Sequence, residues 1–131
     1  MTDASPGFTI AVVDDDRRIL ESLNNLLESA DYAVRSFASA AALLESDCLA
    51  DIDCLISDID MPVMDGFELL RVAHAARPEL PVILVTGHPE MLYRLPPIGA
   101  GYYRSFKKPF DGQELLTAVS DALGNPHLRT P

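Results

Sequence analysis

What most constrains this chain is a pattern that recurs five times. A short, nearly continuous apolar run is followed by a stretch too long for a hairpin. The runs are Thr9–Val13, Tyr32–Phe37, Cys54–Ser57, Pro81–Val85 and Tyr103–Phe106. Several lack apolar/polar alternation, so strands built from them must be buried on both faces. Long connections between such strands call for parallel pairing, with crossover segments covering the sheet.

The connections carry helix signals. After Asp14-Asp15-Asp16, the residues Ile19, Leu20, Leu23, Leu26, Leu27 and Ala30 fall at helical spacing, and Asp16 suffices as the N-cap. Ser39 caps a small helix over Ala40–Glu45. Asp65-Gly66-Phe67-Glu68 reads as a capping box that opens a helix through Ala76, and Pro78 stops it. Asp111-Gly112-Gln113-Glu114 repeats that pattern before a last helix ending near Leu123-Gly124. The fourth crossover is different, because Pro96 and Pro97 fall where its second half should lie. Proline inside a helix costs about 3 kcal/mol, so only one or two turns are expected, over Pro89–Arg94.

The expected architecture is α/β: a doubly wound, five-stranded parallel sheet of βα units, with the fourth helix short or broken by Pro96-Pro97. Residues 1–7 read as an N-terminal extension, 8–124 as one domain, and 125–131 as a tail or truncated linker. A chain of 131 residues suits a single core. Its apolar runs fall far short of the roughly 20 residues that span a bilayer, and Met1–Gly7 is not a secretory start. A cytoplasmic location is expected, and with it reduced Cys48 and Cys54 acting as small hydrophobes.

The net charge of −10 is uneven. Residues 1–65 hold 14 acids and three arginines (−11), whereas residues 66–131 hold six acids and seven bases (+1). An acidic first half argues against direct nucleic-acid binding. It suits concentration of a divalent cation as well as simple solubility.

In open parallel sheets, ligands bind beyond the carboxyl ends of the strands at the switch point of the strand order; for the flavodoxin-like order 2-1-3-4-5 this lies between strands one and three. Asp14 and Asp15 leave strand one, Asp58 and Asp60 leave strand three, Thr86 leaves strand four, and Lys108 follows strand five. Carboxylates crowded on one rim repel one another unless a hard cation such as Mg²⁺ (or Mn²⁺) sits among them. The hydroxyl and the ammonium would then face an oxygen-rich anion, of which a phosphoryl group is the natural candidate.

The segments VVDDD (12–16), LISDIDMPVMDG (55–66), VILVTG (82–87) and KKPF (107–110), in this order and at these separations, resemble the receiver domain of two-component response regulators. The resemblance covers about residues 8–124. It implies that Asp58 accepts a phosphoryl group from a phosphohistidine on a sensor histidine kinase or a histidine phosphotransfer protein. Asp15, Asp58 and the carbonyl of Asp60 would hold Mg²⁺, with Asp14 acting mostly through water. Thr86 would hydrogen-bond the phosphoryl oxygens, and Lys108 would pair first with Asp58 and then with the phosphoryl group. A cis Lys108-Pro109 bond would aim that ammonium inward.

Such a domain is a signalling receiver, promoting its own phosphoryl transfer and autodephosphorylation, with a fused or separate effector domain. Its output is a shift of the face formed by the fourth helix, fifth strand and fifth helix. Where the family often carries an aromatic switch residue, three positions before the lysine, this chain has Ser105, with Phe106 beside it. Arg94, Arg104 and Lys107 make that region locally basic, suiting an acidic partner surface or simple solvation. Other polar residues have blander readings: Asp65 caps a helix, Lys107 is solvated, and His74 lies on an exposed helix face. His88, two residues after Thr86, stands near enough to the rim to influence dephosphorylation. Asp58-Ile59-Asp60 superficially matches the start of haloacid-dehalogenase-type phosphatases, but those carry the motif on their first strand.

Overall fold

The computed structural model describes residues 7–94 and 104–124. Pro96-Pro97, Tyr103, and the segments 1–6 and 125–131 lie outside the described residues. Five strands, β1 (Thr9–Val13), β2 (Ala33–Phe37), β3 (Cys54–Asp58), β4 (Val82–Thr86) and β5 (Arg104–Lys107), form one sheet in the order β2-β1-β3-β4-β5. Every neighbouring pair is parallel. The helices are α1 (Arg17–Ser29), α2 (Ala40–Glu45), α3 (Gly66–Ala76) and α4 (Gly112–Gly124), the last being the expected fifth helix.

Strand alternation divides the core into two layers. Ile10, Val12, Cys54, Ile56, Ile83 and Val85 pack with Leu23 and Leu27 of α1 and Leu115 and Val119 of α4. Ala11, Val13, Leu55, Val82 and Leu84 face the other way, toward Leu43 of α2 and Phe67, Leu70 and Ala73 of α3. Every residue of β3 and β4 is buried, as the continuous apolar runs require. Cys48 and Cys54 are buried and unpaired.

The caps follow their residue types. Asp16 accepts from the Arg18 amide, Ser39 from that of Ala42, and Asp65 and Glu68 close a reciprocal capping box. Asp111 accepts from the Gln113 amide at the start of α4.

Pro89–Arg94 is the short helical segment expected there, wound as 3₁₀, with the Met91 amide bonded to the His88 carbonyl at 2.8 Å, three residues back. One expectation needs correction. His74 does not lie on an exposed face. It is half-buried with Nε2 2.8 Å from the Leu80 carbonyl, because the connection from α3 to β4 folds back over it.

Gly66 opens α3 directly beneath the end of β3, where its amide donates to the Ile59 carbonyl at 2.8 Å. A Cβ at this position would stand 2.5 Å from the Asp58 carbonyl oxygen and 2.8 Å from the Ile59 Cα, both backbone atoms that cannot swing aside. Gly66→Ala should therefore destabilise by about 2 kcal/mol through overpacking, against its better helix propensity. Thermal denaturation should show a Tm lower by roughly 6–10 °C, and an unchanged or higher Tm would contradict the close approach.

Candidate functional site

Strand register assembles the site. Val13 lies opposite Ser57, so Asp14, one residue beyond, comes level with Asp58. Asp58 lies opposite Val85, and Thr86 opposite Lys107, which brings Thr86 and Lys108 to the same edge. Alternation also gives direction. Asp14 continues the row of Ile10 and Val12, Asp58 that of Cys54 and Ile56, and Lys108 that of Phe106, all toward the layer formed with α1 and α4.

The result is a buried ionic cluster. Asp14 is fully buried, and Asp58 is 4% exposed. Lys108 Nζ donates to Asp14 Oδ2 at 2.7 Å and lies 3.1 Å from Asp58 Oδ1. Asp14 Oδ1 also accepts from the Asp16 amide at 2.8 Å. The Lys108 amide donates to the Thr86 carbonyl at 2.7 Å, and the Lys108-Pro109 bond is cis, as the motif implied.

Burial and the neighbouring Asp14 carboxylate push the Asp58 carboxyl up to about 6, against the opposing pull of Lys108. For Lys108, burial alone would lower the ammonium. Its hydrogen bonds to Asp14 and Asp58 outweigh burial and hold it above its ordinary value.

Asp14, Asp15 and Asp58 each offer a carboxylate oxygen, all within 4.8 Å of one another. Three ionised carboxylates against one ammonium leave two negative charges. Hard oxygen donors with this surplus fit a divalent cation of the Mg²⁺ type. Asp15 supplies the solvent-facing side of the cluster.

The remaining residues take other positions. Thr86 is fully buried, and its hydroxyl is occupied by His88: Oγ1 accepts from the His88 amide at 2.9 Å and donates to the His88 carbonyl at 3.2 Å. The Asp60 carboxylate points away from the cluster to His88, Oδ2 to Nδ1 at 3.0 Å. Ser105 is half-buried on β5, while Phe106 packs in the core with the Arg104 guanidinium 5.1 Å from its ring centroid. Sequence reasoning missed two contacts: Asp14 as the closer partner of Lys108, and the Asp60–His88 pair. Neither leaves a trace in residue spacing, since each joins loops far apart in the chain.

An acid whose folded value lies above its unfolded one contributes most stability at low pH and loses it as pH rises through about 6. In metal-free buffer, Asp58→Asn should be more stable than the unsubstituted chain by about 1–3 kcal/mol at pH 7.5. The gain should shrink as pH falls through 6 toward 4, as followed by urea denaturation. A gain that grew toward acid would contradict the raised carboxyl.

Comparison with known proteins agrees with this geometry. The family model for the response regulator receiver domain matches residues 10–120. The transcriptional regulatory protein FixJ of Azorhizobium caulinodans is 36% identical over 115 residues, covering 88% of this chain and 54% of that protein. The chain spans about half the length of such curated relatives. Among solved structures, a response regulator receiver domain protein from Clostridium thermocellum superposes with a TM-score of 0.81 at 28% identity, covering 94% of this chain and 99% of that one. The signal receiver domain of an HD domain-containing protein from Pseudomonas fluorescens Pf-5 gives 0.81 at 33% identity, with 93% and 98% covered. Among the described residues no helix is long and apolar enough to cross a membrane. With the sheet order, the acidic cluster and the lysine all in place, this chain belongs to the response regulator receiver domain family of two-component systems.

Proposed function

We propose that this chain is the phosphoacceptor module of a two-component phosphorelay, with Asp58 as the accepting residue and 8–124 as the folded unit. The observation that carries the reading is the Lys108 ammonium shared between Asp14 and Asp58 at 2.7 and 3.1 Å, with Asp15 completing the cluster. A structural ion pair needs only one buried carboxylate. Three carboxylates at the strand ends suit a site that takes a divalent cation, which with Lys108 offsets the charge of an incoming phosphoryl group.

Asp58 attacks phosphorus of a donor phosphohistidine; the P–N bond breaks as the P–O bond forms, and the imidazole leaves with its electron pair. β3 is buried along its whole length, so the attacking oxygen is held in line rather than searching for it. Lys108 neutralises charge on the transferring group, then stays paired with the acyl phosphate. Mg²⁺, held by Asp15, Asp58 and the Asp60 carbonyl with Asp14 acting through water, would supply the remaining charge neutralisation when bound. Hydrolysis of the acyl phosphate resets the domain.

The product adds roughly −1.5 to −2 charges and acceptor oxygens at the rim, and Thr86 answers by turning its hydroxyl toward them. The response passes to the face made by Pro89–Arg94, β5 and α4. That face holds a cavity of about 770 Å³ lined by Tyr93, Arg104, Ser105, Phe106 and Phe110 among others. The partner supplying the phosphoryl group is a sensor histidine kinase or histidine phosphotransfer protein in the cytoplasm. Effector action belongs to a fused or separate domain, as the greater length of FixJ suggests.

Incubation with acetyl phosphate and Mg²⁺ should give a mass gain of one phosphoryl group that Asp58→Ala abolishes. Lys108→Ala should slow uptake roughly 10²-fold, the usual cost of one preorganised charge donor. Asp65→Ala should keep full uptake while losing about 1 kcal/mol of stability through its cap. No incorporation from acetyl phosphate or from any donor kinase would leave a passive interaction module instead.

A further inference from the structure

The Thr86 hydroxyl has a single proton to donate, and in this structure it is already given to the His88 carbonyl at 3.2 Å. The same oxygen accepts the His88 amide at 2.9 Å, so Thr86 bonds both polar groups of the His88 backbone. The His88 ring is held independently, with Nδ1 3.0 Å from Oδ2 of Asp60. Asp60 follows β3 by two residues and His88 follows β4 by two, so this contact ties the two loops together on the rim beside Asp58. His88 is thus anchored by its backbone to Thr86 and to the Met91 amide, which reaches its carbonyl at 2.8 Å, and by its side chain to the opposite loop.

We infer that the Asp60–His88 pair is a strap that holds the Thr86 loop in its resting conformation, making both side chains positioning residues for phosphoryl transfer. Its consequence for phosphoryl uptake rests on the proposed phosphoacceptor role; the strap itself does not. Thr86 can give its proton to a phosphoryl oxygen only by giving up the His88 carbonyl. That exchange displaces the His88 backbone, and the Asp60 contact resists the displacement. Both partners are more than half exposed, so the restraint is weak, biasing the resting state without locking it. New hydrogen bonds to an acyl phosphate, being charge-assisted, are strong enough to overcome it.

The strap is read first on the unmodified 131-residue chain. Hydrogen exchange by NMR should show the amide of residue 88 less protected in His88→Ala by about two- to fivefold, the range of one exposed side-chain contact. His88→Asn, which keeps an N–H donor near the Nδ1 position, should restore most of the protection. Asp60→Ala should loosen the amide similarly, and adding it to His88→Ala should change nothing further, because paired residues fail additivity. Uptake from acetyl phosphate should rise by a similar factor in His88→Ala and return toward the unsubstituted rate in His88→Asn.

A merely steric effect of His88 on donor access would leave amide protection in the resting protein untouched. Unchanged protection in His88→Ala, or full additivity of the two substitutions, would overturn the strap. Absence of phosphoryl uptake by the unsubstituted chain would instead sink the phosphoacceptor reading, while the exchange data would still decide whether the strap exists.

Discussion

The Lys108 ammonium, set between the buried carboxylates of Asp14 and Asp58, is the interaction on which the rest of the site depends. Without it, two carboxylates would share a pocket that excludes water, and one would have to take up a proton. With it, burial and the neighbouring Asp14 carboxylate still lift the Asp58 carboxyl to about 6. The cluster is thus stable enough to exist and unbalanced enough to welcome a divalent cation. Its stability comes from the apolar layers around it rather than from the ion pairs themselves.

Those layers also give the site its precision. Parallel register brings Asp14, Asp58 and Lys108 to one edge, and alternation points all three toward the same layer. Thr86 continues the opposite row, that of Val82 and Leu84, and its hydroxyl is bound locally to His88 instead of to the acids. The same geometry that concentrates charge therefore holds the Thr86 hydroxyl apart from it.

Gly66 shows how closely the scaffold is drawn around β3. Its missing Cβ lets α3 begin against the Asp58 backbone, and the capping box of Asp65 and Glu68 secures that start. The motif that carries Asp58 thus includes the means of anchoring it. Asp60, within the same motif, turns its carboxylate outward to His88, so neighbouring acids differ in role through their direction alone.

Much of this was legible in the sequence. The strands, their parallel pairing, the caps at Asp16, Ser39, Asp65 and Asp111, and the gathering of Asp14, Asp15, Asp58, Thr86 and Lys108 on one rim follow from local periodicity, turn chemistry and chain order. His74 was misjudged because its surroundings depend on the connection from α3 to β4 that folds over it. The sequence alone determined which elements form and which residues reach the rim, since those are properties of neighbours along the chain. Only the tertiary structure decided that Lys108 leans closer to Asp14 than to Asp58, and that Asp60 holds His88 while His88 holds Thr86. Such choices hang on register and side-chain direction between segments far apart in sequence, where no local pattern reaches.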